Sequence, residues 1–298
     1  MLSRTSALLS LALLGSAAHA QQVPPFELNL DRVEMNRKGD FASSKTYFIP
    51  TVYVRISARN VTAAKNEGAQ TKARIFIEGL DKAMLQGLAR KVYDDLVTKV
   101  RGAGFTVLTY EDLKADVAGL DRIKVNPKFG FPMKSTGLSR PVDFAIATPS
   151  DEQAFDWGIT GPLWPYKAIA KEKNVVVLVP DIFFDLPEVF SKKDGDIWGK
   201  SIEIKTLPTM KLHWAIVQGL SPKAGTCDIR VKEHGKRLVA PVAGTIKKVT
   251  EEKDLGEWTQ TLSDFSFVID PVAVSNGILA VGYAINDLTV KTIRKAHD

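Results

Sequence analysis

The chain has 298 residues, with 40 Lys and Arg against 34 Asp and Glu, for a formal net charge of +6. That excess is small and spread along the chain, so it supplies no electrostatic footprint for nucleic acid. A single cysteine, Cys227, excludes an intramolecular disulfide, and a chain of this length can bury a substantial core without one.

Residues 1–20 read as a cleavable secretory signal. Arg4 places a positive charge near the start, Ala7 to Leu14 are apolar apart from Ser10, and Gly15-Ser16 break the run. Ala18-His19-Ala20 then puts small residues at both positions a signal peptidase inspects, which predicts cleavage before Gln21. The apolar run is well short of the roughly 20 residues a spanning helix needs. Gln21 stands where a lipoprotein would carry its anchoring cysteine. The expected mature protein is therefore periplasmic or secreted, without a lipid anchor or a transmembrane segment. Its formal charge is +5, because the signal removes Arg4 and no acidic residue.

Residues 21–45 look like an irregular arm, with Pro24-Pro25 and a polar stretch around Gly39. Tyr47 to Ile56 is rich in β-branched and aromatic residues and reads as a strand with Pro50 near its start. Asn60 to Lys72 is polar and reads as a loop, and Ala73 to Ile77 as a short strand. From about Asp81 to Arg101, Met84, Leu85, Leu88, Ala89, Val92, Leu96, Val97 and Val100 recur at steps of three and four, which predicts one long amphipathic helix. Asp81 is a natural N-cap, and Gly102 and Gly104 stop the helix. Phe105 to Tyr110 follows as a strand, with a short helix near Glu111.

Residues 119–166 form an excursion rich in proline, glycine and aromatic residues, with a strand at Val142 to Thr148 inside it. Val175 to Val179 is a continuous aliphatic run, the signature of a strand buried on both faces. Strands are also expected in Ile182 to Phe190, Ser201 to Lys205 and Met210 to Val217. Cys227, Ile229 and Val231 alternate with polar residues, and Leu238 to Val249 follows after His234-Gly235, which predicts a hairpin. Ser266 to Val274 and Ile278 to Ile285 are two further apolar runs in this strand-rich half, and Thr289 to Lys295 reads as a closing helix. The pattern predicts a single α/β (α+β) domain over 46–298. Its sheet is mixed and mostly antiparallel, and the one long helix packs on it.

The order of elements resembles a known family. Gly104 to Leu113, running from the end of a long helix through a strand to the start of the next helix, is similar to the core of the curli-secretion CsgG-like periplasmic domains. Val142-Asp143-Phe144-Ala145-Ile146-Ala147 resembles that family's later strand, and Met210 to Gly225 its long strand ending in a glycine turn. The match is one of pattern over about half of the chain. It implies an envelope protein that acts by binding or assembly. Two departures stand out: the missing lipoprotein cysteine, and the long aromatic excursion. No membrane-spanning strands are identified, so no pore is implied.

Catalytic signatures are sparse. Gly195-Asp196-Ile197-Trp198-Gly199-Lys200-Ser201 has three residues between its glycines where a P-loop needs four, and the alternation after Ser201 predicts a strand where a P-loop needs a helix. The mature chain has only His213, His234 and His297, without metal-ligand spacing, so no metal or cofactor is expected. Neither Gly-x-Ser-x-Gly nor Ser-x-x-Lys occurs. The strongest functional clue is aromatic. Trp157, Trp164 and Tyr166 place flat rings near Asp156 and Lys167, which suits a sugar or peptide groove as well as ordinary packing. Arg230, Lys232, Lys236 and Arg237 could form a basic face on the expected hairpin. Together these features favour an exported, non-catalytic protein that binds an envelope glycan or partner protein. An exported hydrolase acting on envelope polysaccharide or peptide is the alternative. The sequence leaves the oligomeric state open.

Overall fold

The structure is a computed structural model that describes residues 33–66, 69–135, 142–156, 161, 163–196, 199–231, 242–254 and 259–298. The expected signal, and the arm as far as residue 32, lie outside the described residues. In chain order the elements are β1 (Val33–Asn36), α1 (Lys38–Phe41), β2 (Thr46–Ile49), β3 (Tyr53–Asn66), β4 (Ala69–Glu78), α2 (Lys82–Gly102) and β5 (Thr106–Thr109). Then come β6 (Val125–Asn126), β7 (Phe131–Ser135), β8 (Val142–Ala147), α3 (Lys167–Glu172), β9 (Val176–Asp185), β10 (Glu188–Asp196) and β11 (Gly199–Leu207). The chain ends with β12 (Lys211–Leu220), β13 (Thr226–Val231), β14 (Gly244–Asp254), β15 (Thr259–Ile269) and α4 (Pro271–His297).

The main sheet is mixed and mostly antiparallel, as expected. Its long path runs β1-β13-β12-β9-β3-β4-β15-β14, with β2, β5, β6, β7 and β8 branching from it. The parallel pairings are β2 with β5 and β9, β3 with β9, and β4 with β15. The central strand β9 shows why its sequence is aliphatic throughout. Val176, Leu178, Ile182 and Phe184 face one cluster, under α2 and α4. Val175, Val177, Val179 and Phe183 face a second, covered by Tyr110, Leu113, Val117, Phe155, Tyr166 and Ile169. A strand covered on both faces needs apolar side chains at both parities.

Helix α2 forms as its periodicity dictates. Asp81 accepts hydrogen bonds from the backbone N–H of Ala83 and Met84 at 3.1 and 3.3 Å, and Gly104 takes φ +90° just past the end. Tyr93 on its buried side donates to the Ile49 carbonyl at 2.9 Å, tying the helix to the sheet. Where α2 meets α4, Gly282 is so close to Val92 that an added Cβ would stand 2.5 Å from Val92 Cγ2. One turn later Asn286 donates to the Val92 carbonyl at 2.8 Å and to the Asp95 carboxylate at 2.9 Å.

Several sequence expectations are corrected. The described end of the N-terminal arm is not irregular, since it holds β1 and α1. Tyr47 to Ile56 is two strands, separated at Pro50, whose ring removes a donor from the ladder. The polar stretch Asn60 to Lys72 is the tip of a long β3–β4 hairpin, in register from Asn66↔Ala69 back to Arg59↔Phe76. Polar side chains do not stop backbone pairing, and Asn60 at the start of the stretch is buried, donating to the Leu186 carbonyl at 3.2 Å. The expected hairpin after Cys227 does not form. Strand β13 sits between β12 and β1, while β14 pairs with β15.

The last correction is the largest. Ile278 to Ile285 belongs to a second long helix, α4, which begins where Asp270 accepts from the N–H of Val272 and Ala273 at 2.9 and 3.1 Å and Pro271 occupies the first turn. Val274, Ile278, Val281, Ile285 and Leu288 make its buried stripe, but Leu279, Ala280 and Gly282 are buried too. With so much of the circumference covered, the helical period is blurred into a run that reads equally well as a strand. The closing helix expected at Thr289 to Lys295 is the end of α4. Of the segment Gly195 to Ser201, the described ends lie on β10 and β11 with Asp196↔Gly199 in register, and residues 197–198 lie outside the described residues. A phosphate loop would need a helix there.

Candidate functional site

Strand β13 sends Cys227, Ile229 and Val231 into the core under the helices. By alternation, Thr226, Asp228 and Arg230 emerge on the opposite face. Antiparallel partners share a face, so the register places Asn36 of β1 and Gln218 of β12 on either side of Asp228. The result is a cross-strand row of three planar polar side chains, Asn36, Asp228 and Gln218. Beside it, Arg230 donates from Nη2 to Asp228 at 2.8 Å.

Two other segments flank this row. Arg37 follows β1 in a left-handed conformation, φ 48° and ψ 53°, which is uncommon for a residue with a side chain. Leu163 and Trp164 come from the turn that precedes α3. Asn36, Arg37, Leu163, Trp164, Gln218, Thr226, Cys227, Asp228 and Arg230 together line a cavity of about 420 Å³. That falls within the range of about 300–1,000 Å³ typical of small-molecule sites. Two arginines against one aspartate leave a local excess of positive charge. Trp164 is 46% exposed, and the Lys167 ammonium stands 5.3 Å from its ring centre.

The sequence-predicted site residues separate into three groups. Trp164 and Arg230, singled out for different reasons, meet in this one cavity. Tyr166 does not join them. It is fully buried, edge-on to Phe48 and Phe155 with ring centres 6.0 and 5.5 Å away, and burial pushes its hydroxyl well above the ordinary tyrosine range. Asp156 is also elsewhere, bound to the Lys134 ammonium at 2.5 Å. Trp157, Lys232, Lys236 and Arg237 lie outside the described residues. Sequence reading missed Asn36, Arg37, Gln218, Thr226 and Asp228. The alternation of β13 alone could have joined Thr226 and Asp228 to Arg230. Nothing local in the sequence marks Arg37 or Gln218.

Cys227 contributes to the cavity wall, yet it is 2% exposed. Burial above all, with the carboxylates of Asp40 and Asp228 nearby, pushes its thiol far above the usual range. It is a packing residue, not a nucleophile.

A second polar cluster lies further along the same side of the sheet. Arg55 and Asp181 form an ion pair with side chains 7% and 4% exposed. The Arg55 guanidinium stands 5.3 and 5.4 Å from the ring centres of Phe144 and Trp214. Burial raises the Asp181 carboxyl above the ordinary carboxylate range, against the pull of Arg55 and Trp214. Next to it, Ser57 donates to Asp185 Oδ1 at 3.1 Å, and Asp185 Oδ2 is 3.0 Å from His213 Nδ1. His213 occupies a bulge in β12 and is half-exposed. Asp185 thus orients an imidazole toward solvent. Ser57 bonds the aspartate and not the histidine, so the three do not form a nucleophilic relay.

Among the described residues, no group of three or more His, Cys, Asp and Glu could hold a metal ion, and no helix is long and apolar enough to cross a membrane. In comparisons with known proteins, no family model and no curated protein matches this chain.

Proposed function

We propose that this chain is an exported, non-catalytic protein that binds a component of the cell envelope or a partner protein, through the cavity between β1, β12, β13 and the Trp164 turn. The observation that carries this reading is the convergence of Trp164 and Arg230 on one polar-floored cavity. An exposed ring above hydrogen-bonding side chains can orient a ligand that is part apolar and part polar. The signal-like residues 1–20 support a periplasmic or secreted location, and the resemblance to CsgG-like domains supports a role in envelope assembly or secretion. A glycosidase needs two carboxylates flanking the sugar, and the described lining holds one, Asp228, tied to Arg230.

A photo-cross-linking residue at Gln218, in protein recovered from the envelope fraction, tests the reading. The expected result is a chain starting at Gln21 and a cross-linked species that disappears on Trp164→Ala. An unprocessed chain in the cytoplasm, or a cross-link indifferent to Trp164, would overturn it. An exported hydrolase is the second reading, favoured by the imidazole that Asp185 orients at His213. It requires turnover of an envelope polysaccharide or peptide that is lost in His213→Ala, and it falls if a substrate panel shows no turnover.

A further inference from the structure

Resting on the reading of this cavity as a binding site, we infer that its ligand is an acidic saccharide, a sugar ring carrying a carboxylate. Three features of the lining converge on that class.

The first is the indole of Trp164. Tyr166, two residues further along the chain, is fully buried beside Phe155. Trp164 instead stays 46% exposed at the cavity wall. A flat, weakly hydrated surface of this kind suits the C–H face of a pyranose.

The second is the floor. Asn36, Asp228 and Gln218 lie side by side across three strands, with neighbouring Cβ atoms in such a row about 4.5–5.5 Å apart. Two amides and a carboxylate present both donors and acceptors in a plane, which matches a ring of hydroxyls. Thr226 adds a hydroxyl. A peptide recognised by its side chains would call for apolar subpockets, and among the described lining residues Leu163 and the buried Cys227 are the aliphatic and thiol contributions.

The third is charge. Arg230 is held by Asp228, while Arg37 makes no salt bridge among the described residues. Arg37 projects from a left-handed backbone that a glycine, asparagine or aspartate would adopt with less strain. A strained arginine in a cavity with surplus positive charge is suited to a planar carboxylate, which a guanidinium binds with two parallel hydrogen bonds. The Lys167 ammonium, over the Trp164 ring, adds to the positive charge nearby.

The test is isothermal titration calorimetry on the chain starting at Gln21, using trigalacturonate, the neutral maltotriose, and acetate alone. Trigalacturonate should bind about tenfold or more tightly than maltotriose, and acetate should not bind measurably. Added salt should weaken the acidic ligand and leave the neutral one unchanged. Arg37→Ala should remove the preference for the acidic sugar, and Trp164→Ala should weaken both sugars. Circular dichroism of each variant confirms that it is folded, and Gln218→Ala provides a second, charge-neutral probe of the floor. Equal affinity for the two sugars would overturn the inference about charge and leave the cavity reading intact. Absence of sugar binding, with the Gln218 cross-link still dependent on Trp164, would overturn the saccharide and keep a binding cavity of another kind. Absence of both would remove the cavity reading as well.

Discussion

Gly282→Ala perturbs the closest approach of the two long helices. In an isolated helix this change is favourable, since glycine is about 0.8–1.0 kcal/mol worse than alanine in a helix interior. Here the new methyl carbon would stand 2.5 Å from Val92 Cγ2, 3.0 Å from its Cγ1 and 3.3 Å from its Cβ. Val92 is fully buried and β-branched, so its side chain has little rotational escape. Either the valine leaves its rotamer or α4 moves off α2, and moving α4 would stretch the bonds from Asn286 to Val92 and Asp95. Overpacking of this kind costs about 1–3 kcal/mol. Set against the gain in propensity, the net loss is about 1 kcal/mol, with an upper bound near 2. Urea unfolding followed by circular dichroism reads it directly, because the midpoint concentration falls at constant slope. Val92→Ala removes both clashing methyls. In that background Gly282→Ala should become neutral or stabilising, a coupling of about 1–3 kcal/mol in the double-mutant cycle. If Gly282→Ala alone raises stability by the full helix-propensity increment, or if the two substitutions are additive, the close-packing argument is wrong.

The remaining predictions concern polar groups elsewhere in the fold. Arg55→Met leaves the Asp181 carboxyl in the core without its counter-ion and should cost about 3–5 kcal/mol by urea unfolding, while pairing it with Asp181→Leu should recover much of the loss; a cost below about 1 kcal/mol would refute the assignment. Cys227, buried and with its thiol pushed up, should resist iodoacetamide in the folded protein at mildly alkaline pH and react once the chain is unfolded in urea, as mass spectrometry would show. His297, 2.9 Å from the Tyr47 hydroxyl, is held below the ordinary histidine range first by burial and then by Lys45. Because its folded value is depressed, the unfolded chain takes up the proton first as pH falls. The stability this group contributes is therefore present above about pH 6.5 and lost as pH drops through the lowered folded value. The urea midpoint should fall as pH drops below about 6.5, and less so in His297→Gln; equal pH dependence in the two proteins would exclude His297 as the cause.

How much of this was legible depended on whether the signal was local. Helix α2 could be read to within a residue at its start, because its stripe is narrow and Asp81 is a strong cap. Helix α4 could not, although Asp270-Pro271 is an equally good start signal. Its burial on several sides, against α2 and the sheet, fills the positions that would have been polar. The strand at Val175 to Val179 was read correctly as buried on both faces, yet nothing in it named β12, β2 and β3 as neighbours. The two site signals were legible separately, Trp164 as a ring in an aromatic turn and Arg230 as a charge on an alternating strand. Tyr166, two residues from Trp164, was indistinguishable from it in sequence and points into the core instead.

By itself, then, the sequence determined the absence of an intramolecular disulfide, the α/β class with a mixed sheet, the limits of α2, and which side chains of β13 share a face. Only the tertiary structure decided that β13 lies between β12 and β1, that the last apolar runs are one helix, and that Arg37, Trp164, Gln218 and Arg230 surround one cavity. The physical reason is that propensity, capping and alternation act over a few residues. The choice of strand partner and the approach of distant turns are set by how whole faces of the sheet are buried, and no short stretch of chain encodes that.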